Sequence, residues 1–231
     1  MENKSHNKNS DGHITYNADS GRADMFKESA HKYYTDQKDS EVVIPGKVPG
    51  EYTLEDYYAL PEEKRVELID GVFYDMAAPS VVHQVLADEL QSVFRTFIMK
   101  NKGKCLAVTS PVDVQVDKSN KTMVQPDVII LCDREKFRPN KIYGAPDLIV
   151  EVLSNSSRKR DWFIKKNKYR ISGVKEYWVV NPYKKDVTVY RFEEGDGFKI
   201  YGITEPVPVG IFDSRCMVDF KEIYGIMDGW E

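Results

Sequence analysis

The stretch that most constrains the fold of this chain runs from Pro146 to Ser154, with the sequence PDLIVEVLS. Apolar side chains dominate both of its alternating faces, with Leu148, Val150 and Val152 on one face and Ile149, Glu151 and Leu153 on the other. A strand that is apolar on both faces lies between two other layers, so this stretch predicts the central strand of a covered sheet. Glu151 is then a carboxylate at a position where the pattern favours Val or Ile.

The predicted burial of Glu151 has a chemical consequence. An unpaired buried carboxylate is so unfavourable that it is neutralised or pairs with a cation. Two interpretations stay open: Glu151 belongs to a functional site, or it lies at a strand end and pairs with a Lys or Arg of the segment that follows. Seven of the thirteen residues from Arg158 to Arg170 are basic, which fits either a solvated face or contact with phosphates.

Two further acidic residues lie beside apolar runs. Asp127 precedes the run Val128 to Leu131, which also predicts a covered strand; the alternative is that Asp127 only turns the chain after Pro126. Glu67 lies in the stretch Pro61 to Gly71, which we predict to be a helix because Pro favours the first helical position and Gly a helix end. Most carboxylates on helices are solvated, so Glu67 alone does not indicate a site.

A long helix is predicted after the cap Ser80, from apolar residues spaced three and four apart. They form one core-facing stripe, which comprises Val82, Val85, Leu86, Leu90, Val93, Phe94, Phe97 and Ile98. His83 lies in the first turn beside this stripe. It is either a histidine with a structural hydrogen bond or a member of a site.

A further helix is predicted from about Ser157 to Ser172, ended by Gly173. Asp161, Lys165 and Tyr169 recur at intervals of four, which places them on one face of that helix. The simplest interpretation is a surface ion pair between Asp161 and Lys165, worth a few tenths of a kcal/mol.

The length of 231 residues and the apolar content of 41% fit one domain with appendages. Residues 1–45 are predicted to be a flexible N-terminal tail, because most of this stretch is polar and has hardly any aliphatic side chains. The domain then spans residues 46–231. With a net charge of −4, any attraction to nucleic acid must come from a local patch.

The cellular location is predicted from cysteines and hydropathy. Cys105, Cys132 and Cys216 are isolated and odd in number, which argues against a disulfide framework and a cysteine zinc site. No apolar stretch is long enough for a membrane span, and the N-terminus has no apolar signal-peptide core. We therefore expect a cytoplasmic protein with no membrane partner.

Sequence motifs exclude some enzyme classes and resemble a known family. There is no P-loop, no G-x-G-x-x-G and no G-x-S-x-G, which excludes common nucleotide-dependent motors, dinucleotide oxidoreductases and serine hydrolases. RVELIDG, PSVVHQ, QPDVIIL, PDLIVEVLS and GVKEYWVVNP, with the spacing of Asp161, Lys165 and Tyr169, resemble the Uma-two family of putative restriction endonucleases. That family belongs to the PD-(D/E)xK nuclease superfamily, and the resemblance covers roughly Tyr52 to Phe192.

The resemblance implies an α/β (α+β) fold, a restriction endonuclease-like mixed β-sheet flanked by helices. It also implies an acidic cluster that holds Mg²⁺ or Mn²⁺. On the family pattern Asp127 and Glu151 are the metal ligands, and Glu67 is the acid supplied by the first helix. The parent motif has a lysine two residues after Glu151, where this chain has Leu153; the family pattern assigns that place to Lys165.

The predicted function is Mg-dependent endonuclease hydrolysis of DNA phosphodiester bonds. Carboxylate-bound Mg²⁺ activates the attacking water and stabilises the phosphate charge, and a lysine assists. Arg158, Lys159 and Arg160 are predicted to contact the DNA backbone, and a homodimer is expected because two copies suit the cutting of two strands. The candidate neighbours of the site are His83, Asp161 and Tyr169. Two alternatives stay open: a catalytically inactive nucleic-acid-binding module of the same fold, and a metal-dependent hydrolase of another phosphoester.

Overall fold

The computed structural model describes residues 42–154, 164–195 and 197–229. The helices are α1 (Leu54–Tyr58), α2 (Val81–Lys100), α3 (Lys166–Ser172) and α4 (Phe220–Gly225). The strands are β1 (Val66–Ile69), β2 (Val72–Asp75), β3 (Leu106–Thr109), β4 (Val114–Gln115), β5 (Val128–Leu131), β6 (Phe137–Arg138), β7 (Lys141–Tyr143), β8 (Leu148–Val152), β9 (Glu176–Asn181), β10 (Asp186–Arg191), β11 (Phe198–Gly202), β12 (Val207–Pro208) and β13 (Met217–Val218).

A six-stranded mixed sheet forms the centre of the fold, with the strand order β11-β10-β9-β8-β5-β3. Strands β8 and β9 run parallel, and the other neighbouring pairs of this sheet run antiparallel. A hairpin of β1 and β2, a small sheet in the order β4-β7-β6 and the pair β12-β13 lie outside it. This mixed sheet with flanking helices confirms the predicted fold class.

Strand β8 is covered on both faces, as its sequence predicts. Val150 packs into the hydrophobic cluster that contains α2 and α4, whereas Ile149 packs into the cluster that contains Tyr169 of α3. All five residues of β8 are buried. Glu151 therefore points to the face that α3 covers.

Helix α2 begins where the sequence predicts. The Ser80 hydroxyl accepts a hydrogen bond from the His83 backbone N–H at 3.2 Å, which satisfies one of the first amides of the helix. Its core face includes Phe94, which packs edge-on against Trp178 with ring centroids 5.8 Å apart. Val82 is 38% exposed, so the core-facing stripe begins after the first turn. In the described part of the chain, no helix is long and apolar enough to cross a membrane.

The prediction of a helix from Pro61 to Gly71 is wrong, because β1 and β2 form a hairpin there. Val66 pairs with Asp75 and Ile69 with Val72, which leaves Asp70 and Gly71 as a two-residue turn. Both turn residues have positive φ, 49° and 79°. Asp-Gly is the preferred sequence for such a turn, and its twist matches that of paired strands. Helix α1, by contrast, opens on a capping box of Thr53 and Asp56, which the sequence signals by a Thr followed three residues later by an acidic residue.

Helix α3 confirms the C-terminal end of the predicted helix. Gly173 ends it in the left-handed conformation with φ of 93°, where an L side chain would be strained. Ile164 and Lys165 form a π-type turn that leads into α3. The predicted residues Ser157 to Phe163 lie outside the described residues.

The cysteine expectation needs correction. Cys105 and Cys132 form a disulfide, and Cys216 is free and buried. The two cysteines are 27 residues apart in the sequence, so their spacing did not indicate that they pair. Antiparallel pairing of β3 with β5 brings the two cysteines together, because Cys105 precedes β3 and Cys132 follows β5. Sequence spacing alone does not report such proximity.

Removing residues 1–41 is expected to leave the melting temperature of the domain nearly unchanged. These residues offer a core little apolar area. Thermal unfolding of the truncated and full-length proteins, followed by circular dichroism, checks this. A loss of several degrees would show that the segment docks on the domain.

Candidate active site

Asp127 and Glu151 lie side by side at the end of two neighbouring strands. Val128 of β5 pairs with Val150 of β8, so the two acids occupy the next position of the same ladder. The Val152 backbone N–H donates to Asp127 Oδ2 at 2.7 Å. This partner is 25 residues away, so the interpretation of Asp127 as only a local turn residue is wrong. Both acids line one cleft.

Glu67 reaches the same cleft from strand β1. Its exposed fraction is 0%, and its Oε1 accepts a hydrogen bond from the Gln125 backbone N–H at 2.9 Å. The bridge between Leu68 and Met123 docks the hairpin beside the segment that leads to Asp127. The hairpin, rather than a helix, therefore carries Glu67 to the other acids.

Lys165 links two of these carboxylates. Its Nζ lies 2.8 Å from Glu151 Oε1 and 2.9 Å from Glu67 Oε1. The exposed fraction of Lys165 is 2%, so the interpretation of Lys165 as a surface lysine is wrong. Asp161, its proposed surface partner, lies outside the described residues. Glu151 does pair with a lysine of the following segment, as one interpretation proposed, but it does so inside the cleft.

Tyr169 completes the set around Glu151. Its hydroxyl donates to Glu151 Oε1 at 2.7 Å, one helical turn after Lys165. Burial, followed by the charges of Glu151 and Glu67, raises the pKa of Tyr169 well above its usual value. Tyr169 is therefore a neutral hydrogen-bond donor, and its bond favours the ionised form of Glu151.

Lys166 points away from this cluster. Its Nζ lies 5.4 Å from the centre of the Tyr190 ring. Successive residues of a helix differ by about 100° in direction, which separates these neighbouring lysines. Lys165 is thus the lysine that meets the acids.

His83 approaches Asp127 from the first turn of α2. Its Nε2 lies 3.1 Å from Asp127 Oδ2, and both side chains are slightly exposed, at 12% and 13%. The Ser80 cap fixes the helix end that carries the imidazole. His83 is therefore a neighbour of the acid cluster, and its part in any reaction stays a prediction.

The described residues contain no group of three or more His, Cys, Asp or Glu side chains arranged as a metal cluster. The site instead alternates charges, with Lys165 between Glu67 and Glu151 and with Asp127 beside them. Such a site offers a divalent cation two carboxylates, which is a set that Mg²⁺ accepts because it keeps several waters.

Comparison with known proteins shows the family to which this chain belongs. The family model named Uma2, with the description "Putative restriction endonuclease", matches residues 54–208. The chain belongs to this family. The resemblance predicted from the sequence motifs is therefore confirmed.

Two relatives extend the comparison beyond the Uma2 family model. An uncharacterized protein from Synechocystis sp. is 28% identical over 150 residues, which span 62% of this chain and 75% of that protein. The crystal structure of a putative nuclease belonging to DUF820 from Anabaena variabilis has a TM-score of 0.62 and 22% sequence identity, covering 75% of this chain and 97% of that one. This second similarity shows the fold.

Lys168, three residues after Lys165, is a buried lysine of this Uma2-family chain that sequence reasoning missed. It is 5% exposed, and its ammonium pairs with Asp70 in the β1–β2 turn and with Asp117. Burial alone would lower the pKa of Lys168, but the hydrogen bonds that Lys168 donates to Asp117 and Asp70 outweigh burial and raise the pKa. The sequence signal that could have indicated Lys168 is its position three residues after Lys165, which puts both lysines on the same side of a helix. Helix α3 thus holds both the hairpin and the acids.

Replacing Lys168 with Met is expected to destabilise the protein by about 2 kcal/mol, below the roughly 3–5 kcal/mol of a fully buried pair. The expected loss of stability is smaller than for a fully buried pair because the Asp70 side chain is 54% exposed and solvent screens its charge. Hydrogen exchange of β1 and β2 should rise more than that of β8. Uniform exchange throughout would contradict a local clamp on the hairpin. Lys64, whose pair with Asp75 is exposed at both ends, supplies the control Lys64→Met.

Proposed function

We propose that this protein is a Mg²⁺-dependent endonuclease that hydrolyses DNA phosphodiester bonds. The observation that carries the proposal is the contact of Lys165 with Glu151, beside Asp127. The resemblance assigned to Lys165 the place of the lysine that the parent motif has two residues after Glu151. A lysine from another element reaches Glu151 in the folded chain, which supports that assignment.

The charges of the site support a divalent cation. Among the described residues, three carboxylates (Glu67, Asp127 and Glu151) line the cleft together with two cations (Arg65 and Lys165), which leaves one formal negative charge in excess. Unbalanced charge is unfavourable where water is largely excluded. Asp127 Oδ2 makes the contacts with Val152 and His83, and among the described residues no hydrogen bond or ion pair engages its Oδ1. Carboxylate oxygens such as those of Asp127 and Glu151 are ligands that Mg²⁺ accepts.

Asp127 and Glu151 would hold the metal ion. When bound, Mg²⁺ supplies an activated water and compensates the negative charge that develops on the phosphate. Mn²⁺ prefers the same kind of oxygen ligands and is expected to replace it.

The chain's own residues position and stabilise the reacting groups. In this proposal Lys165 Nζ, next to Glu151, donates a hydrogen bond to an oxygen of the substrate phosphate. Its positive charge then stabilises the negative charge that develops in the transition state. Glu67 holds Lys165 in place through an ion pair of 2.9 Å. Tyr169 holds Glu151 in place through a hydrogen bond of 2.7 Å. Such buried hydrogen bonds limit the positional freedom of the reacting groups.

The basic residues Arg158, Lys159 and Arg160 are proposed to hold the DNA backbone; they lie outside the described residues. Replacing all three with Gln is expected to weaken DNA binding equally for different sequences and to reduce the salt dependence of the affinity by about one unit of slope per lost phosphate contact. Titrations of DNA at several salt concentrations measure this slope. An unchanged slope would assign the three residues to a solvated face.

Plasmid cleavage with Mg²⁺, Mn²⁺ or EDTA tests the proposed function. Nicked and linear products are expected with either metal and none with EDTA. Bound but uncut plasmid would instead indicate an inactive nucleic-acid-binding module. Hydrolysis of small phosphodiesters with no cleavage of plasmid would indicate an esterase of another substrate class.

A further inference from the structure

A second cavity opens beside the candidate active site, at the edge of the central sheet. Its volume is about 390 Å³, against about 70 Å³ for the cleft that Asp127 and Glu151 line. Sites for small organic ligands measure roughly 300–1,000 Å³. The acidic cleft is therefore small for an organic ring, whereas the neighbouring cavity is large enough.

The two cavities share a wall. Ser110 lines the acidic cleft, and the next residues of the chain, 111–113, line the second cavity. Gln125 lines both, and its backbone N–H is the group that donates to Glu67. A ligand bound in the second cavity consequently lies next to the acids.

The cavity has an apolar strand side and a rim that is aromatic and cationic. The apolar side comes from strands β3, β5 and β7, with Leu131 and Ile142 buried, Val108 partly buried and Leu106 44% exposed. The rim is the β6–β7 hairpin, where Phe137 is 53% exposed and directly precedes Arg138, which pairs with Lys141 across the hairpin. An exposed aromatic ring beside cations is the combination that stacks on a base and attracts its phosphate.

The inner end of the cavity provides hydrogen-bond acceptors. Asp113 Oδ1 accepts hydrogen bonds from the Tyr57 hydroxyl at 2.8 Å and from Gln125 Nε2 at 2.9 Å. These contacts fix the orientation of both side chains. Asp113 Oδ2 and Gln125 Oε1 then serve as acceptors for a ring or amino N–H, which bases present on their pairing edges.

We infer that this cavity binds an unpaired nucleobase of the strand whose phosphate occupies the acidic cleft. The inference rests on the proposed function and specifies its substrate, because a base can enter such a cavity only when it is single-stranded or flipped out of a duplex. The cations of the rim attract phosphates, so they favour a nucleic acid over an uncharged apolar ligand. A peptide is the competing occupant.

The test compares two single strands with the same phosphate backbone. One is a fluorescent oligonucleotide of deoxycytidine, and the other has the same length with abasic sites throughout its centre. Affinities are measured by fluorescence anisotropy in EDTA, so cleavage plays no part. The wild-type protein is expected to bind the deoxycytidine strand about tenfold more tightly, the effect of stacking one base.

The variant Phe137→Ala is expected to bring the ratio of the two affinities close to one. Tyr183→Ala is the matched control, because Tyr183 is also 53% exposed but does not line the cavity. It should keep the tenfold ratio. Phe137 is half-exposed, so its removal should leave the melting temperature unchanged, and a melting curve of each variant verifies this.

Cleavage of the deoxycytidine strand with Mg²⁺ is measured separately. Equal affinity for both strands, or an unchanged ratio in Phe137→Ala, would overturn the base-binding cavity even if cleavage is observed. A tenfold ratio that depends on Phe137 supports the cavity even if no cleavage occurs, and in that case the nuclease proposal fails alone. No binding of either strand in EDTA would also overturn the base-binding cavity, and the cleavage measurement with Mg²⁺ would then decide the nuclease proposal by itself.

Discussion

Replacing Lys165 with Met is expected to lower Mg²⁺-dependent DNA cleavage by about a hundredfold or more at saturating DNA, because a group that stabilises transition-state charge is lost. The Lys165 ammonium lies within 2.9 Å of two carboxylates and beside the proposed phosphate position. Met has a similar length and no charge, so the substitution removes the charge with little change in volume. Initial cleavage rates of plasmid DNA measure the effect.

Lys166→Met is the matched control for this prediction. Lys166 contacts the Tyr190 ring rather than the acids, so its loss should change the rate less than about fivefold, the most that a cation–π contact of about 0.5–1 kcal/mol could cause. Equal, small effects at both positions would make Lys165 a structural lysine and would remove the main support for an active nuclease.

Stability must be measured together with activity for Lys165→Met. The substitution leaves Glu67 and Glu151 buried without their cation, which typically destabilises a protein by about 3–5 kcal/mol. Adding Glu67→Gln removes one of those uncompensated charges and should restore part of the stability. It should not restore cleavage. Recovery of cleavage in the double variant would show that the lysine only compensates charge.

Replacing Asp127 with Asn is expected to abolish Mn²⁺ binding and reduce cleavage to background, while the metal-free protein stays as stable or becomes slightly more stable. The Asn carbonyl can still accept the hydrogen bond from Val152, and one negative charge leaves a cluster with an excess of them. Calorimetric titration with Mn²⁺ and thermal unfolding in EDTA measure the two effects. Unchanged Mn²⁺ affinity in both Asp127→Asn and Glu151→Gln would exclude a metal held by this pair.

Asp147 supplies a matched control, because it also follows a proline and accepts a backbone N–H across the sheet. Its Oδ2 accepts from Cys132 at 2.7 Å, and its Oδ1 pairs with Lys175 at 3.1 Å. Asp147→Asn removes that ion pair without changing the cleft, so metal affinity and cleavage should stay at wild-type values. Loss of activity in this control would indicate that the effect of Asp127→Asn is also structural.

Local patterns in the sequence were sufficient for several elements of the fold. The alternation in β8 predicted a strand buried on both faces, and Ser80 with the following stripe predicted helix α2. Thr53 and Gly173 marked helix ends correctly. These features depend on neighbours in the chain, through side-chain periodicity and capping, so they can be recognised without a tertiary structure. The order of several motifs also identified the family.

Sequence patterns could not place Glu67. The helix signals of Pro61 and Gly71 competed with the turn preference of Asp-Gly, and the hairpin prevailed because its strands bury Val66, Leu68 and Phe73 together. Intrinsic helix preferences are a few tenths of a kcal/mol per residue, whereas burial of one large apolar side chain is worth about 1.5–3 kcal/mol. Tertiary packing therefore decided that segment.

Sequence alone determined that a carboxylate would lie in a covered strand and that a basic, amphipathic segment would follow it. Only the tertiary structure decided which groups meet. The chain contains two Pro-Asp pairs and adjacent lysines at 165 and 166, and their local sequences do not distinguish them. Strand pairing places Asp127 next to Glu151, and the rotation of the segment that leads into α3 brings Lys165 to Glu67 across 98 residues of chain. Such contacts arise from the packing of distant elements, and no local pattern in the sequence records them.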